Sequence, residues 1–477
     1  MRSLRLSKVP SAYIVLAAAC AGVFNAALDQ TTVVAALPEI MVDLRLTVSD
    51  LDRVSWIVTG YLLGYTVAMP LMGRLSDVYG RRRLYMGALM AFSLGTCLVA
   101  MAPNLPWLVA SRVVMAVGGG AVVPVTIALT GDLLPPRQRL LALGLVGAAA
   151  EMGAVLGPAW GGAVSHFLDW RWIFWLNIPT SLMVAVLLLR VLPSGPVSRS
   201  PVDYRGGFLL GLALAVVTVA LSRWEEAPWW AAGGLAAGGV LLVVFLWSQQ
   251  RSPHPLIPLS LFRLPSFSGA NATHLLVGAA LIIALVNIPL LTVTVMGQPA
   301  LEGAFRLMRL TVAIPVGAVL GGILAARLGH RLPTILGLLM AAMAFYLMSR
   351  WGLDVQDPVM TAQLALCGLG FGLVIAPIAA AAVNSVPEAD RGAAAALVTV
   401  MRMLGMTLGL AAITSVGTSH FNLLVGGIDL SILNPDYIQE VNRAGMTVFG
   451  EFFLVAMGLC LTSILPCFLM RDRPDER

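Results

Sequence analysis

Charge is what this sequence has least of. Only 11% of its 477 residues are Asp, Glu, Lys or Arg, whereas 58% are hydrophobic and the mean hydropathy is +0.87. Soluble domains carry about 25% charged residues, so this chain cannot clothe a water-exposed surface and needs lipid as part of its solvent. Cysteine is scarce too. Cys20, Cys97, Cys367, Cys460 and Cys467 lie inside apolar stretches without paired spacing, which argues against a disulfide framework and a metal site. Histidine is limited to five scattered positions, too dispersed for the His and carboxylate clusters of a membrane enzyme. No Gly-rich stretch ends in Gly-Lys-Ser or Gly-Lys-Thr, so direct drive by ATP is not expected, nor is any cofactor.

Long apolar runs are abundant. Crossing a hydrocarbon core takes roughly 20 apolar residues per helix. Such stretches lie near 13–36, 54–73, 84–102, 106–130, 140–165, 172–192, 206–222, 228–247, 268–296, 304–326, 332–350, 360–384, 392–424 and 438–470. The expectation is an all-α membrane protein with fourteen transmembrane helices. The first run is too long for a signal-peptide core and carries Asp29, so it reads as a retained helix. The 30 Lys and Arg residues are unevenly placed. Arg45, Arg53, Arg171, Arg223, Arg350 and Arg443 fall in one set of alternate loops. Arg112, Arg306, Arg309 and Arg402 fall in or beside apolar runs, and the rest fall in the other loops and the tails. This positive-inside pattern puts both termini in the cytoplasm. It explains the net charge of +6 by membrane orientation rather than nucleic-acid binding.

The chain also repeats itself. The run Gly73 to Arg82 returns as Gly322 to Arg331, offset by 249 residues, and Leu134 to Arg139 returns as Val386 to Arg391, offset by 252. Gly120, Gly153 and Gly157 recur as Gly372, Gly405 and Gly409 at that second offset. Nearly equal offsets imply duplication of a six-helix unit; chance resemblance among Gly- and Ala-rich helices is the plainer alternative. The expected organisation is a six-helix bundle over 1–192, cytoplasmic linkers with two inserted helices over 193–265, and a second six-helix bundle over 266–477. An outer extension is expected near 418–446.

Two sets of residues carry candidate chemistry. In the loop from Gly73 to Arg83, Gly73 and Gly80 permit a tight turn and close helix approach. Asp77 can face a helix N-terminus or an arginine of the other half, with Arg81 beside it; a merely solvated loop is the alternative. Ionisable residues at bilayer depth are the second set, because they are expensive there. Asp29 and Glu151 lie midway along the first and fifth runs, and Arg402 lies about a third of the way along the thirteenth. The repeat places Arg402 one residue from the equivalent of Glu151, so the two can pair when the halves close on one side. The expectation is a lock with Arg402 that protons on Asp29 and Glu151 release; a static pair fixing helix register is the alternative. Arg112 is a further relay candidate, with packing or snorkelling equally open. Glu302, Arg306 and Arg309 read as an interfacial anchor, and His274 as a packing residue.

With these residues in view, the chain resembles the fourteen-helix drug:proton antiporter branch of the major facilitator superfamily over essentially its whole length. Leu28 to Pro38 is similar to the first-helix signature of that branch, and Gly73 to Arg83 to the superfamily's loop. Gly153, Gly157, Pro158, Gly161 and Gly162 resemble the antiporter motif of the fifth helix, and Trp170 to Pro179 the entrance to the sixth. One departure matters. The family's fourth-helix motif has Gln-Gly where Arg112 is here followed by Met115 and Ala116, which puts that helix's polar drug-binding role in doubt. Within the branch, Trp56 to Tyr65, Gly147 to Pro158, Met401 to Gly405 and Phe449 to Phe452 are similar to the mycobacterial triacylglyceride exporters, also described as multidrug pumps. The resemblance implies a major facilitator fold in a bacterial inner membrane, working as a monomer by proton antiport. It makes a periplasmic lipid-carrying lipoprotein a candidate partner.

The runs Gly392 to Leu424 and Tyr437 to Met470 are too long for a ~30 Å hydrocarbon core. They are expected to protrude as a pair, with Phe421, Leu423, Leu424, Ile428, Leu430 and Ile432 forming an apolar surface; an ordinary loop with one short interfacial helix is the alternative. That surface and the 22 methionines, soft adaptable side chains, lean toward a lipidic or amphiphilic cargo. The favoured reading is a proton-coupled exporter of lipids or hydrophobic compounds. A pump for small cationic drugs is the runner-up, and a non-transporting sensor or membrane enzyme is the reading from another class.

Overall fold

A computed structural model describes residues 9–47, 50–133, 136–192, 203–223, 227–253, 255–387, 391–426 and 435–470. Among these, all regular structure is helical, as lipid demands of a backbone that must bond within itself. Fourteen helices have 18 residues or more. The first six are α1 (Val9–Asp43), α2 (Trp56–Tyr79), α3 (Arg81–Ala100), α4 (Leu105–Leu133), α5 (Pro136–Phe167) and α6 (Trp170–Val191). Then come α7 (Tyr204–Ser222), α8 (Pro228–Arg251), α9 (Pro265–Thr294), α10 (Ala300–Leu328), α11 (Arg331–Met348), α12 (Asp357–Asn384), α13 (Arg391–Gly426) and α14 (Pro435–Thr462). Twelve are long and apolar enough to cross a membrane among the described residues. The other two are α5 and α13, where the spans expected at 140–165 and 392–424 fall; the apolar part of α13 is Leu397–Ile413.

Glycine sets how closely the helices approach, and it does so in matching ways at the repeated positions. A Cβ on Gly153 of α5 would stand 2.4 Å from the Phe24 carbonyl oxygen of α1, and one on Gly405 of α13 would stand 1.8 Å from that of Leu275 on α9. Gly120 of α4 meets Tyr65 of α2 in the same way, and Gly372 of α12 meets Ile314 of α10. The turns repeat as well. Gly80 between α2 and α3 has φ 88°, and Gly329 between α10 and α11 has φ 81°, a region that other residues adopt only with strain.

Burial then sorts the helices. The described span of α9 is 89% buried, whereas that of α8 is 17% buried, so α9 is central and α8 peripheral. Along α1 every residue from Asn25 to Pro38 is buried, and along α9 every residue from Val277 to Thr292. Both stretches lie away from the face of the bundle that carries the Gly80 and Gly329 turns. Toward that turn face, α1 exposes Tyr13, Ile14, Ala17 and Ala21 along one stripe. The first six helices and the last six meet on the buried side. A Cβ on Gly162 of α5 would stand 2.2 Å from Ala304 Cβ of α10, and the Thr311 hydroxyl of α10 donates to the Val155 carbonyl at 3.3 Å.

Helices α7 and α8 pack on each other, and α7 lies against α2, where Gly207 and Gly211 face Leu71 and Val67. Their ends near the turn face are clasped by Gln249. Its Nε2 donates to Asp203 Oδ2 at 2.6 Å, and its Oε1 accepts from the Leu256 and Ile257 amides at 2.7 and 3.3 Å. At the far end Trp229 and Trp230 are 90% and 85% exposed.

The run of α13 spans 36 residues, about 54 Å at 1.5 Å per residue. His420 Nδ1 lies 2.7 Å from Glu451 Oε2 of α14, joining the two long helices. Leu423 is exposed as expected. Phe421 and Leu424 instead lie half-buried against the core, because α14 covers that side of α13. Ile428, Leu430 and Ile432 lie outside the described residues, as do residues 193–202 of the linker and inserted-helix region expected over 193–265.

The glycine contacts lead to a stability prediction. Gly405→Val forces a side chain into the α9 backbone, so the midpoint of thermal unfolding in detergent falls by several degrees, equivalent to about 1–3 kcal/mol. Gly233→Ala on α8, where an added Cβ meets nothing within 4 Å, keeps or slightly raises the midpoint, because alanine favours a helix interior over glycine.

Candidate functional site

Four helices converge on one carboxylate. Asp29 of α1 accepts from Arg112 Nη1 of α4 at 2.6 Å through Oδ2, and neither side chain has any exposure. Asn177 Nδ2 of α6 donates to Oδ1 at 3.1 Å. The guanidinium is held in turn by α2. Its Nε donates to the Ile57 carbonyl at 3.4 Å, and Cζ stands 4.0 Å from the Tyr61 ring centroid, a favourable cation–π distance. The Tyr61 hydroxyl reaches back to the Ala26 carbonyl of α1 at 3.5 Å. Met115, which departs from the family's fourth-helix motif, places its sulfur 3.6 Å from Arg112 Nη1. Nη2 has no hydrogen-bond partner among the described residues. The pair is thus ligated, dry and slightly under-satisfied.

A polar ladder continues one turn along α1 and α6. Asn25 Nδ2 donates to Ser181 Oγ at 3.2 Å, and the Thr180 hydroxyl donates to Asn25 Oδ1 at 3.3 Å. Thr180 is exposed, so the ladder runs from the sealed Asp29 to the surface of α6.

The other expected site residues are distributed as follows. Asp29 pairs with Arg112 of its own helix group. Arg402 sits where α13 crosses α9, its carbonyl oxygen 2.2 Å from where a Gly278 Cβ would stand. The side chains of Glu151 on α5 and Asp77 on α2 lie outside the described residues. At the motif turn, Arg81 donates to the Ser76 hydroxyl, which donates to the Gly73 carbonyl at 2.6 Å. Gly157 and Gly161 press α5 onto Thr31 and Thr32 of α1, Gly162 faces α10, and Pro158 is buried among them. His274 is buried and bonded through Nδ1 to the Val398 carbonyl at 2.9 Å, while its Nε2 has no hydrogen-bond partner among the described residues.

Sequence reasoning missed several members. Asn177 and Tyr61 lie in stretches read only as family wording, although an amide inside an apolar run is itself a signal. Asp357 was missed as well. It joins the Glu302, Arg306 and Arg309 cluster, taking both oxygens to Arg309 Nη1 at 2.8 Å and lying 3.8 Å from Arg306. Arg306 is buried, so the cluster is a tie between α10 and α12 more than an exposed anchor.

With this geometry established, the chain was compared with known proteins. The family described as Major Facilitator Superfamily matches residues 19–410. The chain is 37% identical to a triacylglyceride transporter of Mycolicibacterium smegmatis, over 97% of this chain and 88% of that protein. It is 39% identical to one of Mycolicibacterium hassiacum, over 97% and 93%, and 34% identical to a probable triacylglyceride transporter of Mycobacterium leprae, over 97% of each. Among solved structures it is similar to an inward-facing, unoccupied bacterial homolog of the human lysosomal transporter Spinster, with TM-score 0.69 and 15% identity over 98% of this chain and 100% of that one. It is also similar to a D-xylose–proton symporter, with TM-score 0.66 and 16% identity over 98% of each. The two structural likenesses show the fold alone.

The buried pair makes a distinctive stability prediction. Asp29→Leu or Arg112→Leu alone leaves an uncompensated charge and destabilises by about 3–5 kcal/mol, whereas the double replacement costs far less than the sum. Unfolding midpoints of the four proteins in one detergent test this, and additive losses would refute the pairing.

Proposed function

The chain belongs to the major facilitator superfamily, as a membrane transporter and not an enzyme, and from that premise we propose that it is a proton-coupled exporter of neutral lipids. The observation that carries the proposal is the sealed Asp29–Arg112 pair with Asn177 on its second oxygen. A proton arriving at Asp29 cancels its attraction for the guanidinium. Breaking a buried pair costs about 3–5 kcal/mol, enough to shift a two-state equilibrium by two decades or more. The ladder through Asn25, Ser181 and Thr180 supplies polar groups leading away from the carboxylate. Glu151 and Arg402 form a second, inter-half lock in this reading, and the turn of Gly73, Asp77, Gly80 and Arg81 stabilises one access state.

The reading takes all fourteen helices as membrane-spanning, α1–α6 and α9–α14 as two copies of one unit, and α7–α8 as an insertion. The basic loops put both termini in the cytoplasm of a bacterial cell. The sealed stretches Asn25–Pro38 and Val277–Thr292, with the exposed stripe of α1 at the turn face, then describe a cleft closed outward and open inward. Alternation consists of parting the α5–α10 seam. Triacylglycerol is the favoured cargo, because the relatives that align along nearly the whole chain are named for it, and a lipid-carrying lipoprotein outside the membrane is the natural acceptor. Asp29 is already neutralised by Arg112, which argues against a cation site there and so against the cationic-drug reading.

Proteoliposomes carrying a pH gradient test the mechanism. Asp29→Asn abolishes gradient-driven export of labelled triolein but leaves exchange of labelled for unlabelled triolein intact. Export that still follows the gradient in this variant rejects Asp29 as the coupling site.

A further inference from the structure

Next to Asp29 on α1, Gln30 faces a different helix group. It is 9% exposed, and its amide Nε2 donates to Met403 Sδ of α13 at 3.0 Å. That is its only hydrogen bond among the described residues, and its Oε1 accepts none. A thioether is a weak acceptor, so a side chain with two donors and two acceptor lone pairs is held here by one poor partner. The setting is otherwise apolar. The core continuous across both halves includes Val33, Val34 and Leu37 of α1 and Met403, Met406 and Leu410 of α13. Burying an amide in such a place is costly unless something else satisfies it.

The contact spans the seam between the halves. Any motion that parts α1 from α13 breaks it, and what then enters is cargo rather than Met403. We propose that Gln30 is a specificity-determining residue whose amide donates to an ester carbonyl of a neutral lipid as the seam opens. The exchange replaces a sulfur acceptor with a carbonyl oxygen, a stronger one, and so favours cargo in the opened state. An uncharged amide suits an uncharged acceptor and leaves the adjacent Asp29–Arg112 pair undisturbed. A hydrocarbon or ether of the same shape offers no equivalent carbonyl.

This inference rests on the lipid-export reading and is tested by competition. Purified, delipidated protein in detergent is offered an equimolar mixture of triolein and its tri-ether analogue, tri-O-oleylglycerol, and co-purifying lipid is measured by mass spectrometry. Wild-type protein retains triolein over the ether by about fivefold, the discrimination expected of one net hydrogen bond. Gln30→Met, of similar length but without a donor, brings the ratio close to one. Met403→Leu, which removes the competing acceptor and keeps Gln30, preserves or raises the preference. An ester preference that survives in Gln30→Met, or its absence from wild-type protein that binds both lipids, overturns this assignment alone. Wild-type protein that retains neither lipid overturns the lipid-export reading and this assignment with it.

Discussion

A charge pair in a nearly chargeless protein is the constraint around which the first six helices are arranged. Two ions taken out of water lose several kcal/mol each in hydration, and Asp29 and Arg112 recover this only because four helices bring them a partner, an amide, a carbonyl and an aromatic face. Moving any of α1, α2, α4 or α6 by an ångström or two spoils that set. The pair therefore works less as glue than as a gauge of helix positions.

The second constraint is steric. Where Gly153, Gly157 and Gly161 press α5 onto α1, and Gly405 and Gly409 press α13 onto α9, the glycine leaves no room for a side chain of its own. Without a hydrophobic driving force inside lipid, such close packing is a main source of helix association. Each half is consequently rigid where glycine is dense. The seam between the first six and the last six helices mixes one close approach of the same kind, Gly162 against Ala304, with hydrogen bonds such as Thr311 to Val155 and Gln30 to Met403.

Much of this was legible in the sequence, and the reasons are specific. The helices follow from apolar run length, and the repeated turns could be read because Gly80 and Gly329 sit at backbone angles that other residues reach only with strain. Asp29 and Arg112 stood out as charges within apolar runs. Their partnership did not, because facing directions depend on how α1 and α4 rotate about their own axes, which run length does not fix. Asn177 escaped for a related reason: an amide becomes meaningful only once its neighbour across the helix boundary is known. Phe421 and Leu424 read as outer surface from the length of their run, which says nothing of the core they pack against.

The Gln249 clasp has a consequence for the peripheral pair α7–α8. It ties the two helices to Asp203 and to the amides of Leu256 and Ile257 at one end only, while the opposite end offers bare indoles of Trp229 and Trp230, groups that favour the boundary between headgroups and water. Small residues of α7 ride along α2. Midway along, Leu210 and Leu214 of α7 share one apolar cluster with Leu63 and Val67 of α2 and Leu404 of α13. The hairpin therefore leans on both helix groups at once, and a shift of either against the other would be felt at its flank.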